Sequence, residues 1–435
     1  MDNNTPQIQI IAPAYVQSRH FEFACKYIMQ SRLGIANYVV CYKNDIDAYS
    51  IEFNAKPLYR FPACDFFKQI KKYLKAELTP VCKGTDKSWV PFFCETNGVF
   101  NINFDLFAAV FYLIARIDEL LPNAQKDKHG RFLTQSCIQY KFNAHRVPVI
   151  DYWILDVRNC FETRSIETTK EHFEWWNTID IDQARAAVGK PIIKRVANLL
   201  RKLGQLKFGE FKLLFDTFYG KSDPFDVLAN MHSTKSRDIV FYLVAGNSPY
   251  DFGSLRNNDV IESDIKKCKQ RFEVGLHPSY NSYDQLSLIN HEKEIIGKYQ
   301  GVDVAFSRQH YLRYNWPNTP HALQKAGLTH DFTMGLANDI GFRAGTSRPF
   351  AFYNVLHSKE YSLLIVPFAV MDVTLKNYLQ VGIEESKQLI DELIEHAQNT
   401  NGLFTSLWHN ESMSQIDGWK GWHTVYNHIK NKLTE

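Results

Sequence analysis

The chain is predicted to be an α/β protein, with a C-terminal distorted (β/α) barrel preceded by a smaller α/β or α+β domain. Three observations predict this class. The 435 residues are too many for one ordinary core. In the second half, β-prone runs alternate with helical patterns, which indicates βα units and a parallel sheet. Short polar motifs follow the ends of these runs, where barrels carry their catalytic groups.

The domain boundary is placed within residues 161–170, which are rich in Glu, Thr and Arg and lack an apolar period. The predicted domains therefore cover residues 1–165 and 166–435. The first domain is expected to contain two strands and one buried helix, at residues 8–11, 38–42 and 104–121.

Apolar and β-branched runs predict the strands of the second domain at residues 178–181, 239–245, 272–276, 363–366 and 403–407. Between them, apolar residues recur at helical spacing, which predicts helices at residues 284–299 and 383–397.

Composition excludes several classes of protein. Lys and Arg total 50 against 47 Asp and Glu, a balance that argues against a nucleic-acid partner. Charged residues interrupt the most apolar stretch, so no transmembrane segment is predicted. Without an export signal, the eight scattered cysteines favour a cytoplasmic protein with reduced thiols. Nothing in the sequence indicates the oligomeric state.

The first polar motif reads T-I-D-I-D over residues 178–182. Aspartates at positions i and i+2 project to the same side of a strand, so Asp180 and Asp182 can point at one site. One carboxylate could hold a metal while the other takes a proton from water. The alternative is structural, with Asp182 capping a helix that begins near Gln183.

Two histidines and two arginines extend this pattern. His277 and His409 each follow a β-prone run, where an imidazole can bind metal or donate a proton, although a histidine there is more often structural. Arg308 and Arg348 could orient an aspartate or bind an anionic sugar group. The alternative for each arginine is an ordinary ion pair at the surface or between domains.

The order of these motifs over residues 172–435 resembles the NodB-like polysaccharide deacetylases, also called carbohydrate esterase family four. The family's T-F-D-D-G motif is similar to residues 178–182, which would make Asp180 the general base and Asp182 a metal ligand. By the same resemblance, Arg308 would orient the base. His409, in the L-W-H sequence that matches the family's L-x-H motif, would be the acid.

The family's second motif, H-[ST]-x-x-H, places two metal ligands one helical turn apart. His277 matches the first ligand, whereas Asn281 stands at the second. The resemblance therefore implies a divalent metal, with zinc expected, held by Asp182, His277 and Asn281. An asparagine oxygen is a weaker zinc ligand than an imidazole.

The first domain resembles the N-terminal domain that precedes the barrel in one bacterial subgroup of the family. Residues 107–131 carry this likeness, including R-I-D-E-L at 116–120 and H-G-R at 129–131. The implied function is metal-dependent removal of acetyl groups from N-acetylated sugars, with a carbohydrate as substrate. Two alternatives stay open: a carbohydrate-binding or scaffold protein that has lost its metal, and hydrolysis of a small non-sugar amide.

Overall fold

The computed structural model describes residues 8–95, 99–231, 237–251 and 258–434. The strands of the described chain are β1 Ile8–Pro13, β2 Tyr38–Lys43, β3 Ala48–Phe53, β4 Lys56–Pro62, β5 Cys82–Lys83, β6 Val90–Pro91, β7 Glu174–Ile181, β8 Arg237–Tyr242, β9 Glu273–Leu276, β10 Phe306–Ser307, β11 His330–Asp331, β12 Phe350–Asn354, β13 Lys359–Ile365, β14 Val370–Met371 and β15 Leu403–His409. The α-helices are α1 Arg19–Lys26, α2 Phe66–Leu74, α3 Leu106–Ile114, α4 Ile117–Leu120, α5 Val149–Glu162, α6 Ile192–Gly204, α7 Phe208–Asp216, α8 Asn258–Cys268, α9 Leu286–Gln300, α10 Asn318–Lys325, α11 Ile383–Asn399 and α12 His423–Thr434.

The N-terminal part of the chain builds a four-stranded sheet in the order β2-β1-β3-β4. Strand β1 pairs in parallel with β2 and antiparallel with β3, so this sheet is mixed. Helix α3 is buried along its whole length, because it is apolar on every face. No helix of the described residues is long and apolar enough to span a membrane.

The single helix expected over residues 104–121 is divided into α3 and α4. Arg116 interrupts it with a left-handed backbone conformation, φ 54°. Its buried guanidinium donates to Glu119 Oε1 over 2.7 Å and to the carbonyl of Arg343 over 2.6 Å. The apolar pattern of the sequence predicts a continuous helix, but the helix is interrupted at Arg116 because this buried charge needs hydrogen-bond partners.

Arg116, Asp118, Glu119 and Arg343 form a group that we call the arginine cluster. Arg343 donates to Glu119 Oε1 over 2.9 Å and to Oε2 over 2.6 Å. All four side chains are buried. The arginine cluster therefore ties the N-terminal part of the chain to the larger sheet that follows.

The larger sheet has nine strands in the order β12-β13-β11-β10-β9-β8-β7-β15-β14. Its strands pair in parallel except β12, which forms an antiparallel hairpin with β13. The change from the small sheet to the large one falls between α5 and β7. The α/β class is confirmed. Closure into a barrel and the division at residue 165 stay predictions.

Parallel pairing brings the carboxyl ends of these strands to one edge of the sheet. In the ladder between β15 and β7, His409 lies opposite Asp180. Strand β10 pairs with β9 through Ser307 and Leu276, so the residues after these two strands are also neighbours. The polar motifs that follow separate strands in the sequence therefore lie together at this edge of the sheet.

Candidate metal centre

Three side chains from this edge meet in a group that we call the metal cluster. Asp182 follows β7, His277 follows β9 and His310 lies three residues after β10. One ligand atom from each lies within 4.8 Å of the others. Asp182 Oδ1 is 3.1 Å from His277 Nε2, and Asp182 Oδ2 is 3.6 Å from His310 Nε2.

The hydrogen bonds of the two imidazoles leave both Nε2 atoms available to a cation. His277 Nδ1 donates to the carbonyl of Arg308 over 2.5 Å, and His310 Nδ1 donates to Asp251 Oδ1 over 2.9 Å. Carbonyl and carboxylate partners of this kind orient metal-binding histidines. In neutral imidazoles, both Nε2 atoms therefore carry lone pairs that face Asp182.

Asp182 Oδ1 is buried and has no hydrogen-bond donor among the described residues. Two lone-pair acceptors 3.1 Å apart repel each other unless a proton or a cation lies between them. One carboxylate and two imidazoles form a donor set that suits zinc and other divalent metals. The residues of the metal cluster therefore fit a divalent ion.

Without metal, a proton takes part of this role. Burial opposes the charge of His310, but Asp182 and Asp251 outweigh burial and raise the pKa of His310 to about 9. Burial likewise opposes ionisation of Asp182, but His310 and His409 hold the pKa of Asp182 well below its usual value. The carboxylate is thus ionised at neutral pH and ready to bind a cation.

Beside the metal cluster, Asp180 is held by Arg308. Arg308 Nη1 donates to Asp180 Oδ1 over 2.8 Å, and its Nη2 donates to Thr178 Oγ1 over 2.7 Å. The other oxygen of Asp180 lies 3.8 Å from His277 Nε2. A buried guanidinium therefore fixes one carboxylate oxygen and leaves the second one facing the metal cluster.

On the other side, His409 forms a dyad with Asp372, which follows β14. Asp372 accepts the His409 Nδ1 hydrogen bond over 2.8 Å and the His409 backbone N–H over 2.7 Å. Burial opposes the charge of His409, but Asp372 and Asp182 outweigh burial and raise its pKa to about 10. His409 consequently carries a proton at neutral pH, and its Nε2 lies 3.9 Å from Asp182 Oδ2.

These groups line a cleft of about 290 Å³. Its wall includes three aromatic side chains, Tyr311, Tyr378 and Trp419. Arg131, from the N-terminal part of the chain, reaches the same cleft and donates to the Tyr378 hydroxyl over 2.6 Å. Aromatic rings beside polar groups suit a ligand with both apolar and polar faces, such as a sugar.

The structure brings together five of the residues that the sequence singled out: Asp180, Asp182, His277, Arg308 and His409 all lie in or beside this cleft. Asn281 is exposed on a turn and is not among the residues that line the cleft. The segment that begins at His277 is not helical, so positions i and i+4 do not share a face there. In the metal cluster, His310 stands where the resemblance gave Asn281.

The structure also decides the alternatives that the sequence left open for Asp182 and Arg348. Asp182 does not cap a helix, because the next helix begins only at Ile192. Arg348 lies outside the cleft and donates to Glu174 Oε1 over 3.0 Å and to the carbonyls of His172 and Asn401. Arg348 therefore forms an ion pair with Glu174, which was the alternative that the sequence left open for this arginine.

Sequence reasoning missed His310 and Asp372. Strands β10 and β14 have only two residues each, so neither shows a readable β period. The available signal for His310 was its position two residues after Arg308, in a segment that was considered only for its arginine.

Comparison with known proteins matches residues 10–166 to a family of unknown function, DUF7033. No curated protein matches the chain. Similar solved structures include a candidate polysaccharide deacetylase from Mycobacterium smegmatis, at 13% identity and TM-score 0.37, which covers 61% of this chain and 85% of its own. A 4-alpha-glucanotransferase from Thermococcus litoralis has 13% identity, TM-score 0.35 and coverages of 60% and 37%. A polysaccharide deacetylase from Bacillus cereus has 11% identity, TM-score 0.29 and coverages of 60% and 89%. Likenesses this distant carry no inference about activity or substrate.

Proposed function

We propose that the protein is a metal-dependent hydrolase that removes acetyl groups from N-acetylated sugars of a glycan. The observation that carries the proposal is the unpaired, buried Asp182 oxygen, which faces two imidazoles whose other nitrogens are already bonded. A carboxylate oxygen and two imidazole nitrogens that face one another in this way suit a divalent cation. The motif resemblance described above supplies the reaction class.

Asp182, His277 and His310 would hold the metal, with zinc as the expected ion. When bound, a divalent ion of this kind polarises an amide carbonyl and lowers the pKa of water. All other parts of the reaction fall to the side chains around it.

Asp180 would take the proton from the attacking water. Arg308 fixes the orientation of this carboxylate through Oδ1, so Oδ2 would be the proton acceptor. His409 is protonated by its contact with Asp372 and lies across the metal cluster from that acceptor. It would give its proton to the nitrogen that leaves with the sugar, while the acetyl group departs as acetate.

Gln309 supports an N-acetylated substrate. Its side chain is fully buried and lines the cleft, and both its amide nitrogen and its amide oxygen lack a partner among the described residues. An unsatisfied buried amide is costly unless a ligand pairs with it. An acetamido group offers one donor and one acceptor, which matches the two free atoms of Gln309.

The alternative of a binding or scaffold protein rested on Asn281 as a substitute ligand. Because Asn281 lies outside the cleft and His310 stands in the metal cluster, that argument no longer separates the two functions. Hydrolysis of a non-sugar amide differs only in the substrate. The two-domain division and the cytoplasmic location also remain proposals from the sequence.

The test combines calorimetric zinc titration with acetate release from an N-acetylated chito-oligosaccharide. Wild type should bind zinc and release acetate. Asp180→Asn should keep zinc while turnover falls by about 100-fold or more, as expected for loss of a general base. Arg348→Lys, outside the cleft, is the matched control and should change neither quantity. Absence of divalent metal binding by wild type would reject the proposal.

A further inference from the structure

Helices α6 and α7 carry an unusual amount of exposed apolar surface. Most of the large hydrophobic side chains that are exposed in the described part of the chain belong to this segment: Ile192, Ile193, Val196, Leu200, Leu203, Leu206, Phe208, Leu213, Phe215, Phe218 and Tyr219. Ile193 is 80% exposed and Leu206 is 74% exposed. Contiguous apolar surface of this kind marks an interaction site. We call residues 190–221 the docking hairpin.

Most of the apolar stripe of α6 is exposed. Ile192, Val196 and Leu203 lie on one face of the helix by their spacing, and all three are exposed. The helix buries Leu199 and Lys202, and the Lys202 ammonium binds Glu210 and Asp417, each over 2.5 Å. Helix α6 is thus held by Leu199 and Lys202, while most of its large apolar side chains stay outside. Its apolar face is therefore available to a partner.

The docking hairpin is also strongly basic. It contains eight Lys and Arg residues and two acidic residues, whereas the whole chain has a net charge of only +3. Both of its acidic side chains are already paired, Glu210 with Lys202 and Asp216 with Lys221. The remaining positive charge is therefore not neutralised within the hairpin.

We propose that the docking hairpin binds the surface of an anionic lipid bilayer. Aliphatic and aromatic side chains would enter the boundary between headgroups and acyl chains, and the lysines and arginines would contact lipid phosphates. Basic and apolar side chains lie side by side on this surface: the Arg195 guanidinium is 3.9 Å from the centre of the Phe218 ring. A second copy of this chain is disfavoured as the occupant, since two hairpins of the same positive charge repel each other.

Docking in this way would bring the cleft close to the bilayer. Asp417, which binds Lys202 of the hairpin, lies two residues from Trp419 in the cleft wall. The Asp417 backbone N–H also donates to Glu210 over 3.1 Å, so the hairpin and this loop are linked twice. The docking proposal itself does not depend on the proposed hydrolase activity.

The experiment measures co-sedimentation of the full chain with two kinds of vesicle, phosphatidylcholine alone and phosphatidylcholine mixed with phosphatidylglycerol. Wild type should bind the mixed vesicles and not the neutral ones, and added salt should weaken the binding. Replacing Ile193, Leu200 and Phe208 together by Gln should reduce the binding by about tenfold or more, because apolar burial is lost.

Two further variants complete the design. The control replaces Val302 and Leu356 by Gln; these residues are 65% and 62% exposed but lie elsewhere, and their loss should leave vesicle binding unchanged. Lys194→Glu combined with Lys212→Glu should also weaken binding to the mixed vesicles, because two positive charges are reversed. Circular dichroism checks that each variant is folded.

Three results would overturn the proposal: no binding of wild type to the mixed vesicles, equal loss of binding in the Val302 and Leu356 control, or equal binding to neutral vesicles. Size-exclusion chromatography provides the remaining arm. If wild type is an oligomer that the triple Gln variant converts to a monomer, and vesicle binding is absent, a second copy occupies the hairpin instead.

Discussion

The arginine cluster and the metal cluster are both buried and both charged, yet their hydrogen bonds are balanced differently. In the arginine cluster, each oxygen of Glu119 receives a guanidinium N–H, and spare donors reach backbone carbonyls. In the metal cluster, Asp182 Oδ1 has no hydrogen-bond donor among the described residues. The imidazole beside it, His277, uses its Nδ1 to donate to the Arg308 carbonyl. Each cluster also has one buried carboxylate oxygen without a hydrogen bond, but Asp118 Oδ1 lies 3.0 Å from the permanently charged Arg116 Nη2, whereas Asp182 Oδ1 faces an imidazole nitrogen of His277.

This difference separates a structural role from a ligand-binding role. Buried carboxylates beside permanently charged guanidinium groups are neutralised within the protein, and removing one partner leaves an uncompensated charge. A cluster with acceptors left over is completed only by a cation or a proton. The first cluster should therefore respond to mutation through stability, and the second through metal binding.

The largest expected effect is on stability. Glu119→Ala leaves Arg116 and Arg343 without their shared carboxylate, so the free energy of unfolding should fall by about 3–5 kcal/mol. Urea unfolding measures this change. Glu174→Ala removes a half-exposed partner of Arg348 and serves as control, with an expected loss of about 1 kcal/mol or less. A loss of that small size in Glu119→Ala would show that the arginine cluster is not structural.

The second effect is on metal affinity. Asp182→Ala and His310→Ala should each lower zinc affinity by about 100-fold or more, because each removes a direct ligand. Asn281→Ala is the matched control and should bind zinc like wild type, since Asn281 is exposed outside the cleft. Loss of zinc binding in Asn281→Ala would instead indicate that Asn281 is a zinc ligand, as the family motif implies.

The third effect is on pH dependence. His310 has a pKa of about 9 without metal, above its ordinary value of 6.5, so a proton competes with zinc for its Nε2. Zinc affinity should therefore rise by about tenfold per pH unit from neutral pH towards 9. The protonated His310 also stabilises the metal-free protein. This contribution is complete below pH 6.5 and is lost as pH rises through about 9.

Zinc titrations at several pH values, with proton release read from buffers of different ionisation enthalpy, measure this competition. His310→Asn removes the competing proton, so its weaker zinc binding should depend less on pH than that of wild type. An equal slope in wild type and His310→Asn would place the titrating proton on another group.

The same contrast explains which parts of the molecule could be predicted from sequence. Strands β7, β9 and β15 have clear apolar patterns, and parallel pairing carries the residues after them to one edge. Asp182, His277 and His409 were found in this way. His310 was not, because the two residues of β10 are too few to show a period, and because the motif directed attention to Asn281 instead.

Charge balance was the other unpredictable feature. A left-handed residue at Arg116 divides the expected helix, because a buried guanidinium must reach partners more than two hundred residues away in the chain. The exposed stripe of the docking hairpin has the same origin. Its periodicity predicts an amphipathic helix, but only the structure shows that Lys202 is buried and that most of the apolar face, apart from Leu199, is exposed.

The smallest expected effect concerns Arg131, which comes from the N-terminal part of the chain as Arg116 does, yet lies in the cleft. Asp127 and the Tyr378 hydroxyl hold its guanidinium, and it is not part of the metal cluster. Arg131→Ala should therefore raise KM for an N-acetylated oligosaccharide by about three- to tenfold, with kcat and zinc affinity unchanged, because it removes uniform binding to substrate. Arg146→Ala, which breaks an ion pair with Asp339 outside the cleft, should leave KM unchanged. A fall in kcat without a change in KM would instead assign Arg131 to the chemical step, and unchanged kinetics would limit the N-terminal part to a structural role.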